Sequence, residues 1–311
     1  MNVLISSYHM NLVLKKYKTI LKKNKIKIDK IIRNPSVKEH ELIKIIHKYD
    51  GVICSDDEFT KKVLINAKKL KVISKWGTGI DSIDSKFAKK KGIKIFNTPG
   101  AFTDGVAQYA VGMMLNLSRK ISIIDNTVKK GKWKKFQGTN IENKKVGIIG
   151  LGKIGSKIIK YLKGFNVEIF GNDLKNEITK RFKKQGIKIL SLNKIFSSCD
   201  VIIVCVDLNK SSYHLIGSKQ MLYLNDNKIL INVSRGPVVN NKELIKCIKK
   251  QNFQIGFDVF EEEPIKKKYL NSLKNKNSIL SSHNAFNTKE EVSFVHDNTM
   301  RNLLKGLKIE N

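Results

Sequence analysis

An arginine, a run of acids and a histidine occur at successive strand-like boundaries in the last third of this sequence. Val233-Ser234-Arg235-Gly236-Pro237 follows the apolar run 229–232. Val259-Phe260-Glu261-Glu262-Glu263-Pro264 follows 255–258, which ends at Asp258. Ser282-His283-Asn284-Ala285 follows 279–281. Arginine offers a planar fork that matches a carboxylate. Histidine exchanges protons near neutral pH. A carboxylate beside it orients the ring and favours its protonated form. Such a set suits reduction of a 2-oxo acid: one group holds the anion, another supplies the proton. Each residue also has a plainer reading. Arg235 also reads as a surface ion-pair partner, and His283 as a structural histidine, but their places directly after apolar strands count against both. Glu261 to Glu263 read as a solvated run answered by Lys266–Lys268, an outcome expected for two of the three. His9, His40, His47, His214 and His296 are read as surface or structural.

These groups meet only if the strands before them lie side by side. Strand-like runs fall at 146–149, 167–170, 201–204, 229–232, 255–258 and 279–281, with helical patterns at 155–164, 176–185, 240–251 and 265–275. Six strands with crossover helices predict a doubly wound parallel sheet, whose ligands bind beyond the carboxyl ends of its strands. Its first unit is the stretch Lys145 to Asp173. The apolar run 146–149 leads directly into Gly150-Leu151-Gly152-Lys153-Ile154-Gly155, then a helix, a second strand and Asp173. Gly150 permits a tight turn, Gly152 a close approach to a pyrophosphate, and Gly155 close packing of helix on sheet. The helix start offers free N–H groups to phosphates. Asp173 is placed to accept from the ribose hydroxyls of NAD and would repel the 2′-phosphate of NADP.

Upstream, strands are predicted at 3–5, 26–31, 52–54, 72–74 and 93–96, and helices at 11–24, 36–48, 60–70 and 82–91. This is a second α/β unit without a phosphate turn of its own. Asn97-Thr98-Pro99-Gly100 punctuates the chain, and one long helix is expected from about Thr103 to Lys130, capped by Thr103 or Asp104. Its apolar face of Ala107, Ala110, Val111, Met114 and Leu115 implies packing against a helix or a second subunit. A last helix, from about Lys289 to Leu307, is too little for a third domain and is expected to return to the N-terminal unit.

The chain has 311 residues, 41% of them hydrophobic, enough for two domains with real cores. No apolar run reaches the ~20 residues of a membrane span, and no signal peptide is expected. Cys54, Cys199, Cys205 and Cys247 form no CxxC pair. They read as buried free thiols of a cytoplasmic protein, with no metal site. Sixty Lys and Arg against 27 Asp and Glu give a formal net charge of +33. That charge suits nucleic acid or an anionic surface. The lysines are spread in short groups such as Lys89–Lys91 and Lys266–Lys268, however, and a bias toward Lys, Asn and Ile is the preferred account. No basic tail and no basic run with interleaved aromatics is recognised, so neither specific nucleic-acid binding nor membrane binding is expected.

Six segments together are specific: 75–84 (KWGTGIDSID), 97–115 (NTPGAFTDGVAQYAVGMML), 146–155 (VGIIGLGKIG), 232–244 (NVSRGPVVNNKEL), 256–264 (GFDVFEEEP) and 282–286 (SHNAF). With them the whole chain resembles the D-isomer-specific 2-hydroxyacid dehydrogenases, the phosphoglycerate dehydrogenase-like branch above all. The resemblance implies a Rossmann NAD-binding domain at 98–283. It would be inserted in a discontinuous flavodoxin-like substrate domain at 1–97 and 284–311, with the substrate in the cleft between them. It implies that Arg235 binds the substrate carboxylate and polarises the keto oxygen, that His283 is the acid/base, and that Glu263 pairs with His283. It places Thr78 and Gly79 at the substrate carboxylate. NAD would meet Gly150, Gly152, Lys153, Ile154, Gly155 and Asp173, with Val233, Asp258, His283 and Ala285 nearer the nicotinamide, Asp258 at its carboxamide. The resemblance also implies a homodimer built partly by the helix after Pro99, and no serine feedback, since the chain ends near Asn311. Three residues depart from the family pattern. Gln108 stands where Glu is common, and Cys205 and Asp207 stand where His-x-Pro is common. A glyoxylate or hydroxypyruvate reductase, or a non-catalytic NAD sensor like the C-terminal binding protein corepressors, are the alternatives the resemblance leaves.

Overall fold

The computed structural model describes residues 1–32, 36–273 and 278–309. The chain divides into two compact units, Met1–Phe102 with Asn287–Asn311, and Thr103–Phe286. The first unit is built on β1 (Asn2–Ile5), β2 (Lys27–Lys30), β3 (Gly51–Cys54), β4 (Val72–Lys75) and β5 (Lys94–Phe96). These strands are all parallel, in the order β2-β1-β3-β4-β5, the flavodoxin-like arrangement. The inner strands are buried on both faces, as a parallel sheet covered by helices requires. Leu4, Val52 and Ile73 from the strands, with Leu42 and Leu64 from helices, make its core. Each contributes roughly 1.5–3 kcal/mol by leaving water. The helix Lys289–Gly306 closes the other face. A Cβ on Gly306 would come 2.2 Å from the Val72 side chain, and Ser74 Oγ donates to the Thr299 carbonyl at 2.8 Å. Glycine at 306 is what lets this helix lie on β4.

The second unit holds β6 (Lys145–Ile149), β7 (Glu168–Asn172), β8 (Lys188–Ile189), β9 (Val201–Val204), β10 (Ile229–Asn232), β11 (Gln254–Phe257) and β12 (Ser278–Leu280). The order is β12-β11-β10-β9-β6-β7-β8, again all parallel. The strand order reverses between β6 and β9, the switch point at which doubly wound sheets bind ligands. Ile202, Val204, Leu230 and Phe257 from the strands, with Phe196 from a covering helix, fill one face.

Several expectations change. The sheet has a seventh strand, β8, whose two residues are too few to show a period. Helices at Leu192–Ser198 and Ser218–Met221 are also additional. The single helix from Thr103 to Lys130 is two, Thr103–Arg119 and Ile121–Lys129. Lys120 between them is left-handed, with φ 57°. The break has a local cause: Asn116 Oδ1 accepts from the Ser122 backbone N–H at 2.9 Å, and its amide donates to Ser122 Oγ. A side chain from the first helix thus satisfies a backbone donor at the start of the second. The expected helix 265–275 is Lys267–Leu273; residues 274–275 lie outside the described residues. The reading of the lysines as lacking an aromatic-bearing run is also corrected. Lys129, Lys130, Lys132, Lys134 and Lys135 alternate with Trp133 and Phe136, and Trp133 is 88% exposed. Among the described residues no helix is long and apolar enough to cross a membrane.

Candidate active site

The glycine turn after β6 has the geometry its spacing predicts. Gly150 has φ +96°, and a Cβ there would meet the Cys205 carbonyl oxygen at 2.7 Å. A Cβ on Gly155 would sit 2.0 Å from the Gly150 carbonyl oxygen, so the helix cannot approach the turn with any side chain there. At Gly152 a Cβ would meet nothing within 4 Å; the space beside this backbone is open. Gly152 caps the helix Lys153–Leu162, whose first residues are Lys153 and Ile154. Asp173 follows β7 and bonds the backbone of the glycine turn and of its own loop. It accepts from Leu151 N at 2.8 Å and Lys175 N at 2.9 Å. Each of its oxygens has a second lone pair for a ribose hydroxyl. Open glycine backbone, a helix start and an acid beyond the next strand fit the pyrophosphate and adenosine ribose of NAD.

Across the sheet, Val233 N donates to Val204 O at 3.1 Å and carries β10 into its turn. Asn232, fully buried, shapes that turn. Its Oδ1 accepts from Ser234 N and Ser234 Oγ, and its amide donates to the Arg235 carbonyl at 3.1 Å. Arg235 itself is extended (φ −138°, ψ 145°) and half-buried, with Nη1 on the Ser234 carbonyl. Gly236 next to it has no room for a side chain: a Cβ would lie 1.8 Å from the Phe260 carbonyl carbon. The arginine turn is therefore pressed onto the acid loop 259–263, which only glycine permits.

Glu263 reaches back with both oxygens. One accepts from Phe260 N at 2.9 Å and folds the acid loop on itself. The other meets His283 Nδ1 at 2.9 Å. His283 follows β12 in a left-handed conformation, φ 55°. Asp258 builds that turn: its carbonyl accepts from His283 N at 2.8 Å, and its carboxylate accepts from Asn284 N and Ala285 N. Asp258 and Ala285 are both buried, at 2% and 3% exposure.

The acid run does not behave as its composition suggested. Only Glu262 is the solvated residue paired with a lysine, Lys266, at 2.7 Å. Glu261 instead meets His214 Nε2 at 2.6 Å, and His214 Nδ1 meets the Asn240 amide at 3.1 Å. Asn232, Gly236 and this second histidine–glutamate pair were not singled out from sequence; their separations leave no periodic signal. Of the departures, Cys205 places its Sγ 3.1 Å from the Gly150 carbonyl, and burial pushes its thiol up to about 12. Asp207 is exposed, and Gln108 donates to Tyr161.

Thr78 and Gly79 lie in the first unit, after β4. The turn starts at Gly77, φ +116°. Thr98 N donates to the Gly77 carbonyl, Thr78 Oγ1 to the Thr98 carbonyl, and Asn97 Nδ2 to the Thr78 carbonyl. The second unit thus holds the glycine turn, Asp173, Arg235, Asp258, Glu263 and His283, and the first holds Thr78 and Gly79, each at the carboxyl edge of its own sheet. Among the described residues no group of three or more His, Cys, Asp or Glu is placed to hold a metal ion.

Comparison with known proteins identifies the family. Residues 111–285 match the family model for the D-isomer specific 2-hydroxyacid dehydrogenase, NAD binding domain. A glyoxylate reductase of Thermococcus litoralis is 34% identical over 86% of this chain and 84% of its own. A D-3-phosphoglycerate dehydrogenase of Archaeoglobus fulgidus is 33% identical over 87% of this chain, which spans 52% of that relative. The solved D-lactate dehydrogenase of Aquifex aeolicus, complexed with NAD and lactic acid, shares the fold with a TM-score of 0.85 at 23% identity, covering 99% of this chain and 98% of its own. The chain belongs to the D-isomer specific 2-hydroxyacid dehydrogenase family and is an NAD-dependent oxidoreductase.

Proposed function

We propose that the enzyme interconverts a short 2-oxo acid and its D-2-hydroxy acid, with His283 as acid/base and Arg235 as the substrate anchor. The observation that carries this is the 2.9 Å pairing of His283 Nδ1 with Glu263 at a strand end, on the loop pressed against the Arg235 turn. When bound, NADH supplies the hydride. Arg235 holds the substrate carboxylate and stabilises the charge that grows on the carbonyl oxygen. His283 gives that oxygen a proton from Nε2 and takes it back in the oxidising direction. Glu263, fixed by Phe260 N, holds the ring by Nδ1 so that Nε2 is the exchanging nitrogen. Asp258 sets the turn that presents His283, and its remaining lone pairs serve the nicotinamide carboxamide. Val233 and Ala285 line the same cofactor end. Thr78 and Gly79 give backbone N–H groups to the substrate carboxylate.

A homodimer in the cytoplasm completes the reading. It is supported by the exposed apolar residues Ile121, Val128 and Trp133, in and just after the helix Ile121–Lys129. Phosphoglycerate dehydrogenase-like specificity, the finer reading of the sequence, competes with glyoxylate or hydroxypyruvate reduction, since relatives of either kind are about equally similar. NADH oxidation followed with glyoxylate, hydroxypyruvate, 3-phosphohydroxypyruvate and longer 2-oxo acids tests catalysis and substrate together. Turnover of at least one acid is expected. NADH binding without turnover of any would replace the enzyme reading by a sensor.

A further inference from the structure

Gly236 touches both groups of the proposed reaction without belonging to either. On one side it follows Arg235 directly. On the other it lies against the backbone of the acid loop. A Cβ there would come 1.8 Å from the Phe260 carbonyl carbon, 1.9 Å from its oxygen and 2.3 Å from Glu261 N. All three are backbone atoms, so no turn of a side chain could make room. A methyl group at 236 would have to shift one loop against the other.

The acid loop is the one that holds His283. Phe260 donates its N–H to one oxygen of Glu263 at 2.9 Å, and the other oxygen meets His283 Nδ1 at 2.9 Å. Two residues earlier, the Asp258 carbonyl accepts from His283 N at 2.8 Å. The loop has little freedom to absorb a push. Val259 and Phe260 are buried, and Glu261 is held by His214 and by Asn241 N. The arginine turn is equally fixed. Fully buried Asn232 accepts from Ser234 N and Oγ and donates to the Arg235 carbonyl. Val238 N and Val239 N close the turn on the Arg235 and Gly236 carbonyls at 3.2 and 3.1 Å. Two stiff, close-packed loops pass a displacement on instead of taking it up.

We propose that Asn232 and Gly236 are positioning residues for His283 as well as for Arg235. The contact of Gly236 with Phe260 makes substrate anchor and acid/base one rigid piece, so a change in the arginine turn alters the Glu263–His283 pair. The inference rests on the proposed function, in which Arg235 and His283 serve one substrate. Every contact it uses lies within the second unit. Its consequence concerns the proton. Glu263 meets the His283 ring directly, Phe286 stands edge-on to it at 6.1 Å, and the Asp258 carboxylate is bonded to Asn284 N and Ala285 N. The carboxylate at Nδ1 favours the protonated ring. Loosening that pair makes His283 give up its proton at lower pH.

The test follows kcat/KM against pH for reduction of the best 2-oxo acid. Reduction needs protonated His283, so the rate falls on the alkaline side, and the midpoint of that fall does not depend on how much enzyme is folded. Gly236→Ala and Asn232→Ala should each raise KM and move the midpoint down by about half a unit to one unit. Should Gly236→Ala fail to bind NADH, Asn232→Ala, which removes bonds without adding a clash, carries the test. In a Glu263→Gln background either substitution should move the midpoint no further, because the group through which it acts is gone. A raised KM with an unmoved midpoint, or a shift that persists undiminished in Glu263→Gln, overturns the inference and leaves the proposed function standing. Turnover by His283→Ala near the wild-type rate overturns both.

Discussion

Two histidine–glutamate pairs share the loop 259–264, and locally they are nearly alike. His283 meets Glu263 at 2.9 Å and His214 meets Glu261 at 2.6 Å. In each, the histidine side chain is 29% and the glutamate 28% exposed. Both histidines are left-handed, with φ 55° and 51°. The difference lies in which ring nitrogen is held and where the backbone places it. Asn240 Oδ1 caps the helix Asn241–Lys250 by accepting from Glu243 N. Its amide therefore faces His214 Nδ1, which must accept, and His214 donates from Nε2 to Glu261. Both nitrogens of His214 are committed to holding three loops together. His283 meets Glu263 through Nδ1, just after the carboxyl end of β12. A histidine–carboxylate pair is thus not itself an acid/base device. In the proposed function it becomes one where the carboxylate holds Nδ1 and Nε2 is the nitrogen that exchanges the proton.

The contrast can be broken in several ways. Arg235→Ala should lower kcat/KM by about a thousandfold, the size expected for losing one preorganised donor to a developing oxyanion. Glu263→Gln should cost less, about tenfold to a hundredfold in kcat, because the histidine remains. Glu261→Gln in the same assay should stay within about threefold, since a neutral amide still accepts from His214. If the two glutamate variants lose rate equally, the distinction between the pairs fails. His214→Ala should act on stability. Losing a half-buried bonded pair costs about 1–2 kcal/mol, a fall of roughly 2–8 °C in Tm by thermal melting. A third set of histidines sharpens the comparison. His9 stacks on Trp76 at 4.1 Å, and Trp76 also contacts His296. His9 is held well below the ordinary 6.5, at about 4. The unfolded chain therefore binds its proton first, and stability present above pH 6.5 is lost as pH falls toward 4. His9→Gln should flatten the decline of Tm between those pH values; an unchanged slope would remove His9 from the acid sensitivity.

How far the sequence reveals this depends on how local each feature is. The glycine turn is legible because strand, turn, helix and acid follow one another, and each glycine's role is a backbone matter. Arg235 and His283 are legible because they stand directly after apolar runs. The break at Lys120 is not, because it depends on a side chain of one helix bonding the start of the next. β8 is not, because two residues cannot show alternation. Glu261 and His214 are 47 residues apart, and nothing in a charged triplet tells which acid turns inward. Asp258 shows a subtler limit. Its strand-end position is visible in the sequence, but not that its carboxylate closes on the backbone of 284 and 285.

The central claim is that His283, and not its twin, moves the proton. The direct measurement is NADH oxidation by His283→Ala with the best 2-oxo acid, beside His214→Ala, with NADH binding followed by fluorescence on each. The account predicts a loss of about 10²–10⁴-fold in kcat for His283→Ala with NADH binding retained, and near-normal kcat for His214→Ala. Turnover by His283→Ala close to the wild-type rate would contradict it.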